Sequence, residues 1–206
     1  MVIGFIALSY LFGSVPIAWI VAKLLTGKDI RNVGSGNVGV MNVALNVSRW
    51  AGLLVFVGES AKGAVVVLLG RSLQLNDLYL GLGVVAAVAG TRWSIWLRGA
   101  GGRGNTTGIT GILLLAWQAV VISLIVWIFA RLLTHRSFWA TRIWILSLPV
   151  ILFLATQSWS FVLWGCALSL IYLITHKDVS DDHNLIKQQW PNLWSFITAP
   201  PRSKDP

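Results

Sequence analysis

Apolar residues fill this chain in long runs separated by short polar stretches. Neither the strict alternation of a half-buried strand nor the narrow stripe of a surface helix organises them. A helix crossing roughly 30 Å of hydrocarbon takes about 20 residues. Runs near that length cover residues 2–25, 50–70, 78–97, 140–157 and 159–175. Residues 104–133 are the ambiguous stretch: as one helix they make about 45 Å, too long for one upright crossing and too short for two full ones.

Charge placement arbitrates, because short cytoplasmic loops collect Lys and Arg. Lys23, Lys28, Arg31 and Arg49 flank the first polar loop, Arg92, Arg98 and Arg103 the third, and Arg131, Arg136 and Arg142 the loop near residue 135. All three clusters and the tail share one side if residues 104–133 enter and return with a bend near Trp117 and Gln118. The pattern predicts an all-α, polytopic integral membrane protein of about seven membrane helices, some short. Its N-terminus lies outside and its C-terminus in the cytoplasm; six spans is the alternative. Residues 1–175 are then the membrane domain. Residues 176–206 form a short cytosolic tail whose Trp190, Trp194 and Phe196 rest on the membrane surface.

Composition agrees with the lipid reading. Of 206 residues 56% are hydrophobic and 11% charged, against roughly 25% charged in soluble domains. Lys and Arg outnumber Asp and Glu by 16 to 7, an excess that in such a chain signals orientation and anionic headgroups, not nucleic acid. Residues 2–25 lack a basic n-region and a cleavage site and read as a permanent span. Trp50, Trp93, Trp96, Trp117, Trp139 and Trp159 fall at segment ends, where an interfacial aromatic belt sits. The single cysteine, Cys166, lies in an apolar run and is expected to pack there, and no Cys/His metal spacing occurs.

The chemistry concentrates in two glycine-rich loops, "GSGNVGVMN" at 34–42 and "RGAGGRG" at 98–104. Both match GxGxxG, and Glu59 falls 20 residues after Gly39, yet a dinucleotide site needs a strand before the loop, which membrane helices do not supply. No Gly-Lys-Ser/Thr follows either loop. Glycine still lets backbone N–H groups turn to an anion, and a helix start adds partial positive charge. The second loop enters a helix near Thr106, with Arg98 and Arg103 beside it. The first offers Ser35, Asn37 and Asn42. Together they suit a phosphate at the cytoplasmic interface; helix-packing glycines with orienting arginines are the competing reading. In "GESAKG", Glu59 and Lys62 share a helix face and are expected to neutralise each other. Asn46 and Asn105 begin glycosylation sequons by pattern, on the cytoplasmic side. Of His135, His176 and His183, only His176 is placed to meet the loops.

At these residues the sequence resembles the bacterial acyl-phosphate:glycerol-3-phosphate acyltransferases of the PlsY type. "YLFGSVP", "GKDIRNVGSGNVGVMNV", "GESAKG", "GTRWSIWLRGAGGRGNTTG", "THRS" and "YLITHKD" carry the likeness in order over nearly the whole chain. The resemblance implies a seven-helix membrane enzyme of phospholipid synthesis. It would move an acyl group from acyl phosphate to the 1-hydroxyl of glycerol 3-phosphate without metal or cofactor, in the bacterial plasma membrane with its active face cytoplasmic. Carried over by position, Ser35, Asn37, Asn42, Arg103 and His176 form the catalytic set, with Gly36, Gly39, Gly101, Gly102 and Gly104 binding substrate; Arg98 is added to the substrate-binding residues for its charge in the loop. Ser35, Asn37 and Asn42 would position glycerol 3-phosphate, and Arg103 with the N–H groups of residues 101–104 would hold a phosphate. The chain departs from the family at Met41, Leu45, Thr91, Ser94, Ala100 and Val179. These replacements leave open a second reading, a homologue that binds lipid phosphate or a membrane partner without turnover.

Overall fold

The structure of the chain, a computed structural model, describes residues 1–176. Among them are nine α-helices, two short 3₁₀ turns and no strand. The first apolar run, expected as one span, is two helices: α1 (Val2–Ser14) ends at Val15, and α2 (Ile17–Thr26) restarts after Pro16. Proline lacks an N–H and disfavours helical backbone at the residue before it, so carbonyls at the end of α1 lose their helical donors. Side chains from distant helices replace them. Lys62 Nζ donates to the Gly13 carbonyl at 3.0 Å and Ser94 Oγ to the Ser14 carbonyl at 2.6 Å.

After a loop containing the 3₁₀ turn Ile30–Asn32 come α3 (Val40–Asn46) and the long α4 (Arg49–Ser72). Ser48 caps α4 by accepting from the Ala51 N–H at 3.1 Å, and Asn76 caps α5 (Asp77–Arg92) by accepting from Tyr79. The 98–104 loop follows the turn Ile95–Leu97 and leads into α6 (Asn105–Leu115). The chain breaks at Ala116 and returns as α7 (Trp117–Thr134), one residue from the expected bend. Carbonyls at a helix end need new donors, and Arg71 supplies one to Leu114 at 2.7 Å. Helices α8 (Ser137–Thr156) and α9 (Trp159–Thr175) complete the bundle. Pro149 interrupts the α8 ladder at the carbonyl of Ile145, four residues back, and Ser169 Oγ from α9 donates to that carbonyl at 2.7 Å.

Five stretches, Val2–Thr26, Arg49–Ser72, Asp77–Leu97, Trp117–Thr134 and Ser137–Thr156, are long and apolar enough to cross a membrane. Asn105–Leu115 and Trp159–Thr175 are shorter apolar helices. At 1.5 Å per residue, α6 is about 16 Å long, half the hydrocarbon thickness. Small residues permit close packing where lipid offers little drive for helix association. A Cβ on Gly13 would strike the backbone of Ala87, and one on Gly90 the carbonyl of Tyr10. Thus α1 and α5 run parallel at backbone contact, tied by Tyr10 Oη donating to the Trp93 carbonyl at 2.7 Å.

Trp144, Leu148, Trp164, Leu168 and Tyr172 fill the interior between α8 and α9, while Ala18, Ile30, Val43 and Val55 pack under the first loop. Leu24, Leu133, Leu146 and Leu163 stand exposed, an apolar exterior suited to lipid. Cys166 shares that exterior, contrary to its expected place in the packing, because on α9 the inward face is taken by Trp164, Gly165 and Leu168. The six segment-end tryptophans are all exposed. His176, where the tail was expected to begin, is buried against the bundle. The readings of Val179, His183, Trp190, Trp194 and Phe196 lie outside the described residues.

Candidate functional site

The two glycine loops meet. Ser35, Asn37, Val38, Gly39 and Asn42 from the first, and Arg103 and Gly104 from the second, line one cavity of about 300 Å³, closed by Glu59, Thr91, Asn105 and Thr106. Gly102 makes the approach possible, since a side chain there would collide with the Val38 carbonyl. Glycine also serves at the helix start: Gly104 caps α6 with φ +75°, a left-handed conformation that L side chains resist. The first intrahelical bond in α6 runs from Gly108 N–H to the Gly104 carbonyl. The N–H groups of the preceding turn have no intrahelical partner and stand beside Arg103, a positive end for an anion. Arg103 forms no ion pair or side-chain hydrogen bond with the described residues, in contrast to Arg31, whose guanidinium is spent on Asp29 at 2.6 Å. That guanidinium holds the Asp29 carboxyl far below the usual carboxylate range.

Ser35 and Asn37 lie on the cavity wall, and neither side chain makes a hydrogen bond among the described residues. Asn42 is different. Its Nδ2 lies within 3.2 Å of the carbonyls of Ile30, Val33 and Asn37, and its Oδ1 accepts from the Ser35 N–H and from Asn46. The amide is buried and committed to shaping the loop, so Asn42 holds the wall that presents Ser35 and Asn37. Gly36 serves that same turn, at φ +70°.

The second loop corrects three further expectations. Arg98 is exposed, does not line the cavity, and ends the turn Ile95–Leu97 in a left-handed conformation. Gly101 gives its N–H to the Arg92 carbonyl at 3.0 Å and packs against Thr91. The Gly101 N–H is therefore spent, Gly101 and Gly102 are close-approach positions, and the first turn of α6 offers N–H groups to an anion.

Glu59 and Lys62 pair at 2.8 Å, as their spacing predicts, but the pair does more than neutralise itself. Lys62 holds the broken end of α1, and the Thr107 hydroxyl lies 3.1 Å from both the carbonyl and Oε2 of Glu59, so three helices, α1, α4 and α6, are fastened beneath the cavity. Thr91 joins them, with its hydroxyl 3.0 Å from the Gly13 carbonyl.

His176 approaches through Asn105, whose Nδ2 lies 3.1 Å from its Nε2. Burial, with Arg103 and Arg142 nearby, lowers its pKa to about 4. Arg142 also donates to the His176 carbonyl at 3.2 Å. Asn105, noticed in the sequence only as a sequon, lines a second cavity of about 350 Å³ between α6, α7 and α8. Its walls are chiefly Ile109, Ile112, Val120, Leu124, Trp127 and Trp144.

A polar pocket whose arginine has no partner among the described residues, beside an apolar slot that shares Asn105 in its wall, suits a molecule with a charged head and a fatty chain. The family model described as glycerol-3-phosphate acyltransferase matches residues 3–182. The chain belongs to the glycerol-3-phosphate acyltransferase family. A relative of that name from Desulforudis audaxviator is 39% identical over 85% of this chain and 88% of its own. Another from a Synechococcus species is 34% identical over 84% and 86%. In three dimensions, the crystal structure of PlsY (YgiH), an integral membrane glycerol 3-phosphate acyltransferase in its glycerol 3-phosphate form, superposes with a TM-score of 0.74. It is 25% identical to this chain and covers 91% of each. A lysophosphatidic acid form shares the fold, with a TM-score of 0.73 at 22% identity.

Proposed function

We propose that this acyltransferase moves an acyl group from acyl phosphate to glycerol 3-phosphate, forming 1-acyl-glycerol 3-phosphate for phospholipid synthesis. The observation that carries the reading is a polar cavity lined by Arg103 lying beside an apolar slot, with Asn105 in the wall of both. The polar cavity takes the phosphate against Arg103 and the first turn of α6. Ser35 and Asn37 bond the glycerol hydroxyls, and the slot takes the acyl chain. The hydroxyl oxygen attacks the acyl carbonyl carbon, the carbon–oxygen bond to phosphate breaks, and phosphate leaves with that electron pair and, in the end, the hydroxyl proton. Positioning two bound substrates supplies most of the acceleration, since such arrangements reach large effective molarities. Arg103 also stabilises charge on the departing phosphate.

The basic clusters around the first and second loops and Arg142 lie with the cavity, which supports a cytoplasmic active face in a bacterial plasma membrane and an outside N-terminus. Residues 1–175 together with His176 are the membrane domain, and the remaining residues the cytosolic tail. The relatives lend no support to a homologue without turnover.

The test is phosphate release by the protein in lipid, given acyl phosphate and glycerol 3-phosphate, alongside Ser35→Ala. Turnover that needs both substrates and falls about 10²- to 10³-fold in the variant supports the reading. A folded wild type that binds glycerol 3-phosphate and releases none overturns it.

A further inference from the structure

A chain of hydrogen bonds through the His176 ring ends α9. The Tyr172 carbonyl can only accept, and it lies 3.0 Å from His176 Nδ1, so Nδ1 carries the ring proton. The Thr175 hydroxyl, 3.2 Å from the same nitrogen, gives its own proton to the Tyr172 carbonyl at 3.1 Å and does not contest that role. In the neutral ring Nε2 is then a bare lone pair. With that tautomer it accepts from Asn105 Nδ2 at 3.1 Å. The other end, Oδ1, has no donor among the described residues. Buried acceptors are rarely left so.

Asn105 is also the single residue shared by the linings of the polar cavity and the apolar slot. A hydroxyl held in one and an acyl carbonyl held in the other would both border that side chain. An amide oxygen is an acceptor without being a base, so it can aim an O–H without removing the proton.

We propose that Asn105 Oδ1 accepts a hydrogen bond from the acyl-accepting hydroxyl and points that oxygen at the acyl carbonyl, with His176 as the positioning residue that sets the amide. The proton stays on the hydroxyl until it passes to the departing phosphate. The proposal rests on the acyl-transfer reading above.

The test compares binding of glycerol 3-phosphate with that of its analogue carrying hydrogen in place of the acyl-accepting hydroxyl, on the full chain in lipid. A difference between two ligands of equal charge cancels electrostatic effects of the variants. The wild type is expected to prefer the parent about tenfold, the worth of one hydrogen bond. Asn105→Ala should lose most of the preference, and His176→Phe, which removes the contact that sets the amide, should reduce it to about threefold or less. If the alanine variant fails to fold, Asn105→Leu repeats the test with side-chain volume preserved. Wild-type preference persisting in the alanine or leucine variant overturns the role of Asn105. Turnover by the same samples separates the two readings: a wild type without turnover defeats acyl transfer, whereas turnover with an unchanged preference in the variant defeats only this inference.

Discussion

Lys62→Met tests whether the ion pair beneath the cavity holds the bundle together. Lys62 and Glu59 have side chains only 2% and 7% exposed. Removing the ammonium strands the Glu59 carboxylate and takes one of two donors from the Gly13 carbonyl. Breaking a buried pair from one side costs about 3–5 kcal/mol, because the remaining charge has no compensation. The Thr107 hydroxyl still lies 3.1 Å from Glu59 Oε2 and Thr91 still serves Gly13, which places the expected loss near the lower end, about 3 kcal/mol. For a chain of this size that lowers the unfolding midpoint by about 6–12 °C. The double variant Glu59→Gln/Lys62→Met removes both charges and should regain most of the loss, since replacing a whole buried pair is often neutral. Thermal unfolding in one lipid composition, followed by circular dichroism, measures all three proteins. A single variant that melts with the wild type, or a double variant no better than the single, would refute an electrostatic fastening.

Three further outcomes are expected. Arg103→Ala should lower kcat/KM for glycerol 3-phosphate by about 10- to 150-fold, the worth of a hydrogen bond to a charged group, with Arg103→Lys intermediate in steady-state assays. Gly102→Ala should push the loops apart at the Val38 carbonyl, costing about 1–3 kcal/mol in thermal unfolding and reducing affinity for glycerol 3-phosphate. Because the folded pKa of His176 lies near 4, below its usual 6.5, the unfolded chain binds more protons between those values. Its contribution is therefore present above about pH 6.5 and lost as pH falls through 4, on the order of 3 kcal/mol. Unfolding midpoints at pH 4 and 7 should differ less in His176→Phe than in the wild type; an equal difference would exclude His176 as the source.

Legibility differed from residue to residue for physical reasons. Ser35, Asn37 and Arg103 were grouped by the glycine loops that carry them, and the structure brings all three to one cavity wall. Asn42 looked equivalent, yet only the folded loop shows its amide consumed by Ile30, Val33 and Asn37. Arg98 and Arg103 are five residues apart in one motif, and the left-handed backbone at Arg98 turns that residue out of the site. Asn105 was invisible as a functional group because its partner, His176, is 71 residues away.

By itself the sequence determined the solvent and the segments, including the reversal near residue 116, because hydrophobic length and loop charge are properties of contiguous residues. It also placed the polar chemistry at one end of the bundle. Tertiary structure alone decided what each polar group does. An orphaned carbonyl at a broken helix can be met by any donor that packing brings within about 3 Å. Here those donors come from Lys62 and Ser94, which are 49 and 80 residues along the chain from the carbonyls they satisfy. Such partnerships are set by which helices touch, and no local pattern encodes them.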